Sequence, residues 1–310
     1  MLPTYDIIEF SKKIKHLRTS LGYTILDVSK STGINESTIK AIEKGKCFPR
    51  FDTLYMISSL YKTDLVSLFV SSLSDFTIIN FMNQISSSSA NGDLKSLEHI
   101  LRKIESYLES YELTPLEQKD YHQIRAYTKG LIFALKTIER SENASHLALK
   151  YYEKSLKIGN PNFSFSNFKA FKYSSVEMGI LFSCSVILGI ECNYELSNDI
   201  LHFILGYYLN LNTDNIYDRA LTPKLYYILS YNCHSLDLHQ KALELATTGI
   251  EYCINNDSLA FLPLLLGRKG IALKHLNQNN WKEPIDKAIC ILELQNNIDL
   301  IKIFKNFTNE

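Results

Sequence analysis

The alternation of apolar and polar positions over the first seventy residues predicts five short helices. In the first helix, apolar residues recur at steps of three and four and share one face, up to the helix end at Gly22: Ile7, Phe10, Ile14, Leu17 and Leu21. Thr24 and Asp27 have the spacing of a capping box that starts the second helix. Asn35 and Asp52 are predicted to cap the third and fourth helices, and a fifth helix follows over residues 65–69.

Three residues around the second and third helices have the spacing of a helix-turn-helix motif. Ser29 is small enough for the helices to cross closely, and Gly33 supplies the positive φ of the turn. Ile39 then anchors the third helix in the core, so that its polar residues face outward. Hydroxyl groups there can bond to base edges, and lysines can neutralise phosphates.

After about residue 76 the periodicity predicts only helices, separated by short polar turns. They form five pairs and a last helix that covers the open end: 76–88 with 93–110, 115–138 with 143–158, 168–190 with 194–209, 223–236 with 239–255, 259–276 with 282–294, and 300–307. The second helices recur with a period of about 40–50 residues, which is typical of a helical solenoid.

Three of the second helices carry small and aromatic residues at the spacing of a tetratricopeptide repeat. The sets are Ala148/Tyr152/Ser155, Ala242/Ala246/Gly249 and Trp281/Pro284/Ala288. The other pairs diverge from this spacing, so a generic helical bundle remains an alternative. The predicted fold is all-α, with a five-helix helix-turn-helix domain over residues 1–70. A right-handed, tetratricopeptide-like repeat domain with a C-terminal capping helix follows over residues 71–310.

Charge and composition agree with a DNA-binding N-terminal domain in a cytoplasmic protein. Residues 1–70 carry 10 Lys/Arg against 7 Asp/Glu, whereas residues 71–310 carry 23 against 26. The six cysteines include no CxxC pair, so free thiols in a reducing compartment are expected. No signal peptide is evident, and the longest apolar run, 178–190, is too short to span a membrane.

The first helices of such an array line a concave surface suited to an extended peptide. Tyrosine and asparagine side chains can bond to a peptide backbone, and arginine and lysine can bind a carboxylate. Two polar stripes at helical spacing, with Asn232 near the second of them, supply the predicted peptide-binding residues: His122, Arg125, Lys129, Lys224, Tyr227, Tyr231, Asn232 and His234. A merely solvated helix face is the alternative for each of them.

Catalytic motifs are lacking. The sequence contains no Gly-rich phosphate loop, no HExxH, no GxSxG and no paired metal ligands, and its eight histidines are scattered. We therefore expect no enzymatic activity, no cofactor and no metal site.

Residues 14–69 resemble the Xre/Cro/C1 class of helix-turn-helix domains. The resemblance rests on LR-x-x-x-G, the small-xxx-Gly turn, the I-x-x-I-E-x-G end of the recognition helix and the following proline. It implies that Glu36, Ser37 and Ala41 face bases and that Arg50 contacts the minor groove or the backbone. The sequence departs from the class at Ile25, where glutamine is frequent, and at Glu36, where the residue is often basic or an amide. The predicted DNA-binding residues are Asn35, Glu36, Ser37, Thr38, Lys40, Lys44, Lys46 and Arg50.

Over its whole length the chain resembles the RNPP class of Gram-positive peptide-sensing regulators and the related Rgg/ComR regulators. This resemblance implies a cytoplasmic homodimer that binds double-stranded promoter DNA and an imported short signalling peptide. Peptide binding is then expected to act through a small change near residues 70–76. Two alternatives are repeats that bind a partner protein and a Rap-type activity that promotes phosphate loss from response regulators, although Rap-type members lack the DNA-binding domain.

Overall fold

The computed structural model describes residues 7–72, 78–110, 112–139, 144–210, 216–256 and 258–309. These residues form sixteen α-helices and no strand, so the all-α prediction is confirmed. The contacts between residues divide the chain into two compact units, Met1–Arg125 and Ala126–Glu310. The domain boundary at residues 70/71 stays a prediction, and positions 73–77, next to or within the expected hinge, lie outside the described residues.

Five helices form the N-terminal domain, as predicted: α1 (Ile7–Ser20), α2 (Ile25–Thr32), α3 (Glu36–Glu43), α4 (Phe51–Tyr61) and α5 (Leu65–Ser71). Every one of them contributes to a single core: Ile7, Phe10, Ile14, Val28, Ile39, Ile42, Leu54, Ile57, Tyr61 and Leu65. Leu21 was expected on the buried stripe of α1, but it lies beyond the helix end and is 46% exposed.

The capping box and the turn before α3 form as the sequence predicts. The Thr24 amide donates to Asp27 Oδ2 at 2.8 Å, and the Asp27 amide donates to Thr24 Oγ1 at 3.1 Å. Gly33 has a φ of 74°, which favours glycine.

The other two predicted caps differ in outcome. Asn35 holds the N-cap position of α3, as predicted, but its side chain makes no cap hydrogen bond. The prediction for Asp52 is wrong. Asp52 lies in the first turn of α4, where a carboxylate is favourable, and Arg50 holds the cap position. At α5, Asp64 is the cap, and it accepts hydrogen bonds from the amides of Val66 and Ser67.

The rest of the chain is a succession of helices: α6 (Ile78–Ala90), α7 (Leu94–Ser110), α8 (Pro115–Ile138), α9 (Ser145–Gly159), α10 (Ser175–Ile190), α11 (Tyr194–Asn210), α12 (Ile216–Ser235), α13 (His239–Asn255), α14 (Leu262–His275), α15 (Lys282–Leu294) and α16 (Ile298–Asn309). Helix α6 packs against α7, and each helix from α9 to α15 packs against the next one in the chain, which confirms the predicted helical-repeat fold. On α16, Phe304 packs against Gly267 of α14 and covers that end of the array. No helix among the described residues is both long and apolar enough to cross a bilayer.

The largest differences from the predicted helix starts, seven residues each, occur at α10 and α12. A helix was expected from residue 168, but Phe168–Ala170 is only a 3-10 turn, and α10 starts after Ser174. There Ser174 and Glu177 form a capping box, with the Ser174 amide donating to the Glu177 carboxylate at 2.8 Å. In contrast, α12 begins before Pro223, which lies inside the helix, although proline usually ends or starts a helix.

One turn geometry recurs between paired helices. Gly92, Cys192, Asp237 and Asn277 all have positive φ, and they join α6 to α7, α10 to α11, α12 to α13 and α14 to α15. After α12, the Leu238 amide donates to the Cys233 carbonyl at 2.9 Å and the Asp237 amide donates to the His234 carbonyl at 3.0 Å. The hydrogen bonds equivalent to that from Leu238 to Cys233 measure 2.8, 2.8 and 3.0 Å after α6, α10 and α14. This pairing is the Schellman motif, which satisfies the last carbonyls of a helix.

The small residues of the repeat signature lie where helices approach most closely. Ala148, Tyr152 and Ser155 of α9 are all buried, and the Tyr152 ring lies over Gly130 of α8. In α13, Ala242, Ala246 and Gly249 are buried against the neighbouring helices.

Candidate DNA-contacting and ligand-binding sites

The recognition helix α3 is held by its apolar side and presents its polar side to solvent. Ile39 and Ile42 are 2% and 1% exposed, so the opposite face points outward. The predicted DNA-binding residues all lie at the surface: Asn35, Ser37, Lys40, Lys44, Lys46 and Arg50 are exposed, and Glu36 and Thr38 are half-buried. The geometry thus leaves them available to a ligand.

An ion pair braces the C-terminal end of α3 against α1. Arg18 Nε donates to Glu43 Oε1 at 2.6 Å and Nη2 donates to Oε2 at 3.0 Å. The third contact runs from Arg18 Nη1 to the Tyr23 carbonyl at 2.8 Å. The hydrogen bond to Glu43 raises the pKa of Arg18 above its usual value. Both residues belong to the motifs of the sequence resemblance, but their spacing gave no sign that they pair.

The two departures from the Xre-type pattern have local explanations. Glu36 forms an ion pair with Lys40, one turn later, at a distance of 2.9 Å between Glu36 Oε2 and Lys40 Nζ. The charge of Glu36 is therefore balanced within α3. Ile25 packs against the core of the N-terminal domain. Within residues 7–72, Lys44 and Lys46 have no ion-pair partner, whereas Arg50 Nε lies 3.6 Å from Asp52 Oδ1. The cations nearest the end of α3 are therefore the ones available to an anion.

The stripe on α8 falls on one helical face and is half-buried. His122, Arg125 and Lys129 recur at steps of three and four. His122 and Arg125 belong to the first unit and Lys129 to the second. Their role in binding a ligand stays a prediction.

Three predicted ligand residues of α12, Lys224, Tyr227 and Tyr231, lie beside two residues that were not predicted. These are Phe261, just before α14, and Arg268 on α14. The Tyr227 ring centroid is 6.2 Å from that of Phe261, and Lys224 Nζ lies 5.5 Å from the same Phe261 ring. The Arg268 guanidinium carbon lies 5.3 Å from the Tyr231 ring centroid. We call these five residues the α12/α14 face. Burial lowers the pKa of Lys224 and raises that of Tyr227.

Arg268 is a buried cation without an anion. It is 6% exposed, and its Nη2 donates to the Ser230 carbonyl at 3.2 Å. Its Nε has no hydrogen-bond partner, and no carboxylate of the described residues forms an ion pair with it. Burial lowers the pKa of Arg268. An uncompensated buried charge is costly, so this position is suited to receive an anionic group. The sequence signal was a single arginine within the apolar run of α14.

Two residues predicted on this face lie elsewhere. Asn232 is 1% exposed, and its Nδ2 donates to Ser197 Oγ at 2.8 Å and to Asn198 Oδ1 at 3.0 Å on α11. One residue beyond Tyr231, it has turned about 100° around the helix and joins the core. Asn232 is therefore buried against α11, with its Oδ1 lacking a hydrogen-bond partner, and its role in binding a ligand stays a prediction.

His234 belongs to a histidine cluster at the end of α12. Its Nδ1 lies 3.0 Å from Nδ1 of His239, and its ring centroid lies 4.5 Å from that of His275. The expectation that the eight histidines are scattered is therefore wrong for these three. His239 and His275 are 5 and 41 positions after His234 in the chain, so no local spacing signals the cluster.

Comparison with known proteins supports the assignment of the N-terminal domain. Residues 11–69 match the family model described as "Helix-turn-helix domain". No curated protein matches the sequence significantly.

Solved structures share the fold of almost the whole chain. Bacillus thuringiensis PlcR, in complex with the peptide PapR7 and DNA, is similar with a TM-score of 0.67 and 16% identity, covering 95% of this chain and 99% of PlcR. The SHP pheromone receptor Rgg2 of Streptococcus dysgalactiae gives a TM-score of 0.64 and 14% identity, covering 97% and 99%. The apo form of the competence regulator ComR from Streptococcus vestibularis gives a TM-score of 0.50 and 15% identity, covering 98% of both chains. The resemblance to the RNPP and Rgg/ComR regulators is thus confirmed as a shared fold.

Proposed function

We propose that this protein is a cytoplasmic transcriptional regulator that binds promoter DNA through α3 and is switched by a short signalling peptide bound to its repeats. The observation that carries the proposal is the exposed polar face of α3 in a matched helix-turn-helix domain. The fold shared with PlcR, which was solved with both a peptide and DNA, supports the combination. This role requires no catalytic chemistry.

In the proposed DNA complex, α3 enters the major groove by its N-terminal end. Ser37 and Thr38 contact base edges, and Glu36 accepts from a cytosine amino group. Lys44, Lys46 and Arg50, which follow the recognition helix or lie near its end, contact phosphates. Lys40 joins them by exchanging its ion pair with Glu36 for a phosphate.

The proposed DNA-binding species is a homodimer, since two recognition helices about 34 Å apart grip a palindromic site. The last two helices offer apolar side chains for the contact between copies. Leu294, Ile298 and Ile303 are 86%, 62% and 58% exposed. Light scattering should give a dimer mass for the full chain, and Leu294→Asp with Ile298→Asp should lower it to that of a monomer.

The proposed peptide site is the α12/α14 face. Arg268 binds a peptide carboxylate, because it is a buried guanidinium with no anion of its own. Tyr227, Tyr231 and Phe261 pack against apolar side chains of the peptide, and Lys224 adds a second cation. Peptide binding changes DNA affinity only if the peptide binds one conformer more tightly than another.

One experiment tests both halves. Fluorescence anisotropy of the full chain is measured on its own upstream DNA and on a shuffled duplex of equal length, between 50 and 200 mM salt as an approximate range. We expect tighter binding to the upstream DNA and an affinity that falls steeply with salt. Synthetic peptides matching short secreted peptides encoded beside the gene are then added, and one of them should shift the curve. Equal weak binding to both duplexes would refute the DNA half, and a partner protein found instead of a peptide would replace the second half.

A further inference from the structure

The ends of three successive helices bring three histidines together. His234 lies near the end of α12, His239 is the first residue of α13 and His275 is the last residue of α14. The ring centroids are 4.7 Å apart for His234 and His239, 4.5 Å for His234 and His275, and 4.7 Å for His239 and His275. All three pairs are close, so the rings form a triangle rather than a chain.

The nitrogen atoms of this triangle have the spacing of metal ligands. One nitrogen from each ring can be chosen so that all of them lie within 4.8 Å of one another. Nδ1 of His234 and Nδ1 of His239 are 3.0 Å apart. Two imidazole ligands of a tetrahedral zinc ion, with Zn–N bonds of about 2.0–2.1 Å, are about 3.3 Å apart. A single hydrogen bond between two histidines would account for this pair, but it leaves the third ring unexplained.

The surroundings of the triangle also bear on a cation. His234 and His239 are half-buried and His275 is exposed, and the positive charge of Arg268 acts on His234. The positive charge of Arg268 disfavours the binding of a metal cation at the three histidines. Asp237, in the turn between α12 and α13, offsets it, because its Oδ1 lies 3.8 Å from Nε2 of His239. With Nδ1 of His239 toward the cluster, Nε2 faces the exposed carboxylate of Asp237, and a small movement of that side chain would give the hydrogen bond found in many metal-bound histidines.

We propose that His234, His239 and His275 bind a divalent transition-metal ion, with Zn²⁺ as the first candidate. Three neutral imidazoles suit Zn²⁺, Ni²⁺ and Cu²⁺ rather than Mg²⁺ or Ca²⁺, which prefer oxygen ligands. Solvent supplies the fourth ligand, because three protein ligands leave one tetrahedral position open. The ion ties together the ends of α12, α13 and α14, and Asp237 orients His239. This site is independent of the proposed regulatory function.

The test is a Co²⁺ and Zn²⁺ titration of the full chain, prepared without a histidine tag and stripped with a chelator. We expect one equivalent of Co²⁺ to give the visible absorption of tetrahedral cobalt, without a thiolate charge-transfer band in the near ultraviolet. His239→Ala and His275→Ala should each weaken binding at least about 100-fold, more than the loss of an outer partner costs. Asp237→Asn should weaken it about 10-fold. His146→Ala, which removes an exposed histidine of α9, is the matched control and should bind as the wild type.

Three results would overturn the proposal. They are the absence of saturable binding below millimolar metal, wild-type affinity in His275→Ala, and a thiolate band showing that cysteines bind the ion. Far-ultraviolet circular dichroism of the metal-free variants shows whether each one folds. His275 is exposed at a helix end, so its variant decides the matter even if His239→Ala does not fold.

Discussion

Arg18 of α1 and Glu43 of α3 form a two-pronged ion pair, with nitrogen–oxygen distances of 2.6 and 3.0 Å. Their side chains are 10% and 5% exposed, so water screens the pair little. Glu43 is the last residue of α3, and Arg18 also holds the carbonyl of Tyr23 before α2. One guanidinium thus fixes the end of the recognition helix relative to the rest of the domain.

Removing one partner of this pair should destabilise the N-terminal domain. Arg18→Met leaves the Glu43 carboxylate largely buried without its cation, which costs about 3 kcal/mol in the free energy of unfolding. Hydrogen exchange of peptides from α1 to α3, read by mass spectrometry, measures this loss locally. DNA affinity should fall with it.

The double variant Arg18→Met with Glu43→Met provides the control for that prediction. It removes both charges and keeps side-chain volume, so part of the lost stability should return. If the double variant is as unstable as the sum of the single variants, the charge pair is not the cause.

The Glu36–Lys40 pair should weaken DNA binding, because DNA must break it to use Lys40. Glu36→Gln keeps an oxygen that can accept from a cytosine amino group and frees Lys40, so it is expected to raise affinity and to steepen the dependence of affinity on salt. Lys44→Gln and Lys46→Gln should each lower the salt slope by about 0.9, the loss of one phosphate contact. Anisotropy titrations at several salt concentrations give both quantities.

A similar ion pair elsewhere supplies the controls for these charge changes. Glu283 and Lys287 of α15 lie one turn apart at 2.7 Å, outside the helix-turn-helix domain. Glu283→Gln and Lys287→Gln should leave affinity and slope unchanged. An effect equal to that of the α3 variants would mean that net charge, rather than contact at α3, controls binding.

We expect Arg268 to bind a carboxylate of the peptide at the α12/α14 face. For a peptide that binds, Arg268→Gln is expected to raise the dissociation constant by about 10- to 100-fold, because charge-assisted hydrogen bonds to arginine contribute about 1.5–3 kcal/mol. Stability in the absence of peptide should not fall, since the variant removes an uncompensated charge.

Calorimetry with the free-acid and amidated forms of one peptide completes that test. If the carboxylate bound by Arg268 is the terminal one, amidation weakens binding to the wild type but not to Arg268→Gln. Lys269→Gln, at the neighbouring half-buried position, is the control. Equal binding of both variants would remove Arg268 from the site.

Gly270 should be intolerant of any side chain. A Cβ there would meet Ile285 and would lie 2.9 Å from the Trp281 carbonyl, so Gly270→Ala should cost about 1–3 kcal/mol. Gly179→Ala in α10 meets nothing within 4 Å and should instead stabilise by about 0.5–1 kcal/mol. Urea unfolding followed by the fluorescence of Trp281, the one tryptophan of the chain, measures Gly270→Ala directly. Comparable losses in both variants would mean that helix–helix clearance is not the reason.

Local patterns were enough to predict the helices and the surface of α3. Periodicity, the Thr24–Asp27 capping box and Gly33 act within a few residues, so they can be recognised from sequence. The start of α10 was missed because Phe168 continues the apolar pattern, whereas the Ser174–Glu177 capping box sets the helix start.

Long-range pairings were beyond such patterns. Asn232 follows Tyr231 directly in the sequence and was grouped with its stripe for that reason, and only contact with α11 shows that it is buried. Arg268 and His275 lie on a helix whose place beside α12 depends on the whole repeat. Their partners are separated from them by more than thirty positions, so spacing alone carries no signal.

The recurring turn between paired helices bears on how quickly the chain folds. Each turn closes within six residues by its own backbone bonds, as in Cys233 to Leu238. Loops this short cost little entropy to close, and contacts between neighbours in sequence favour fast folding. Any hairpin can therefore serve as a nucleus from which order spreads to its neighbours, and loss of order begins most easily at the end of the array.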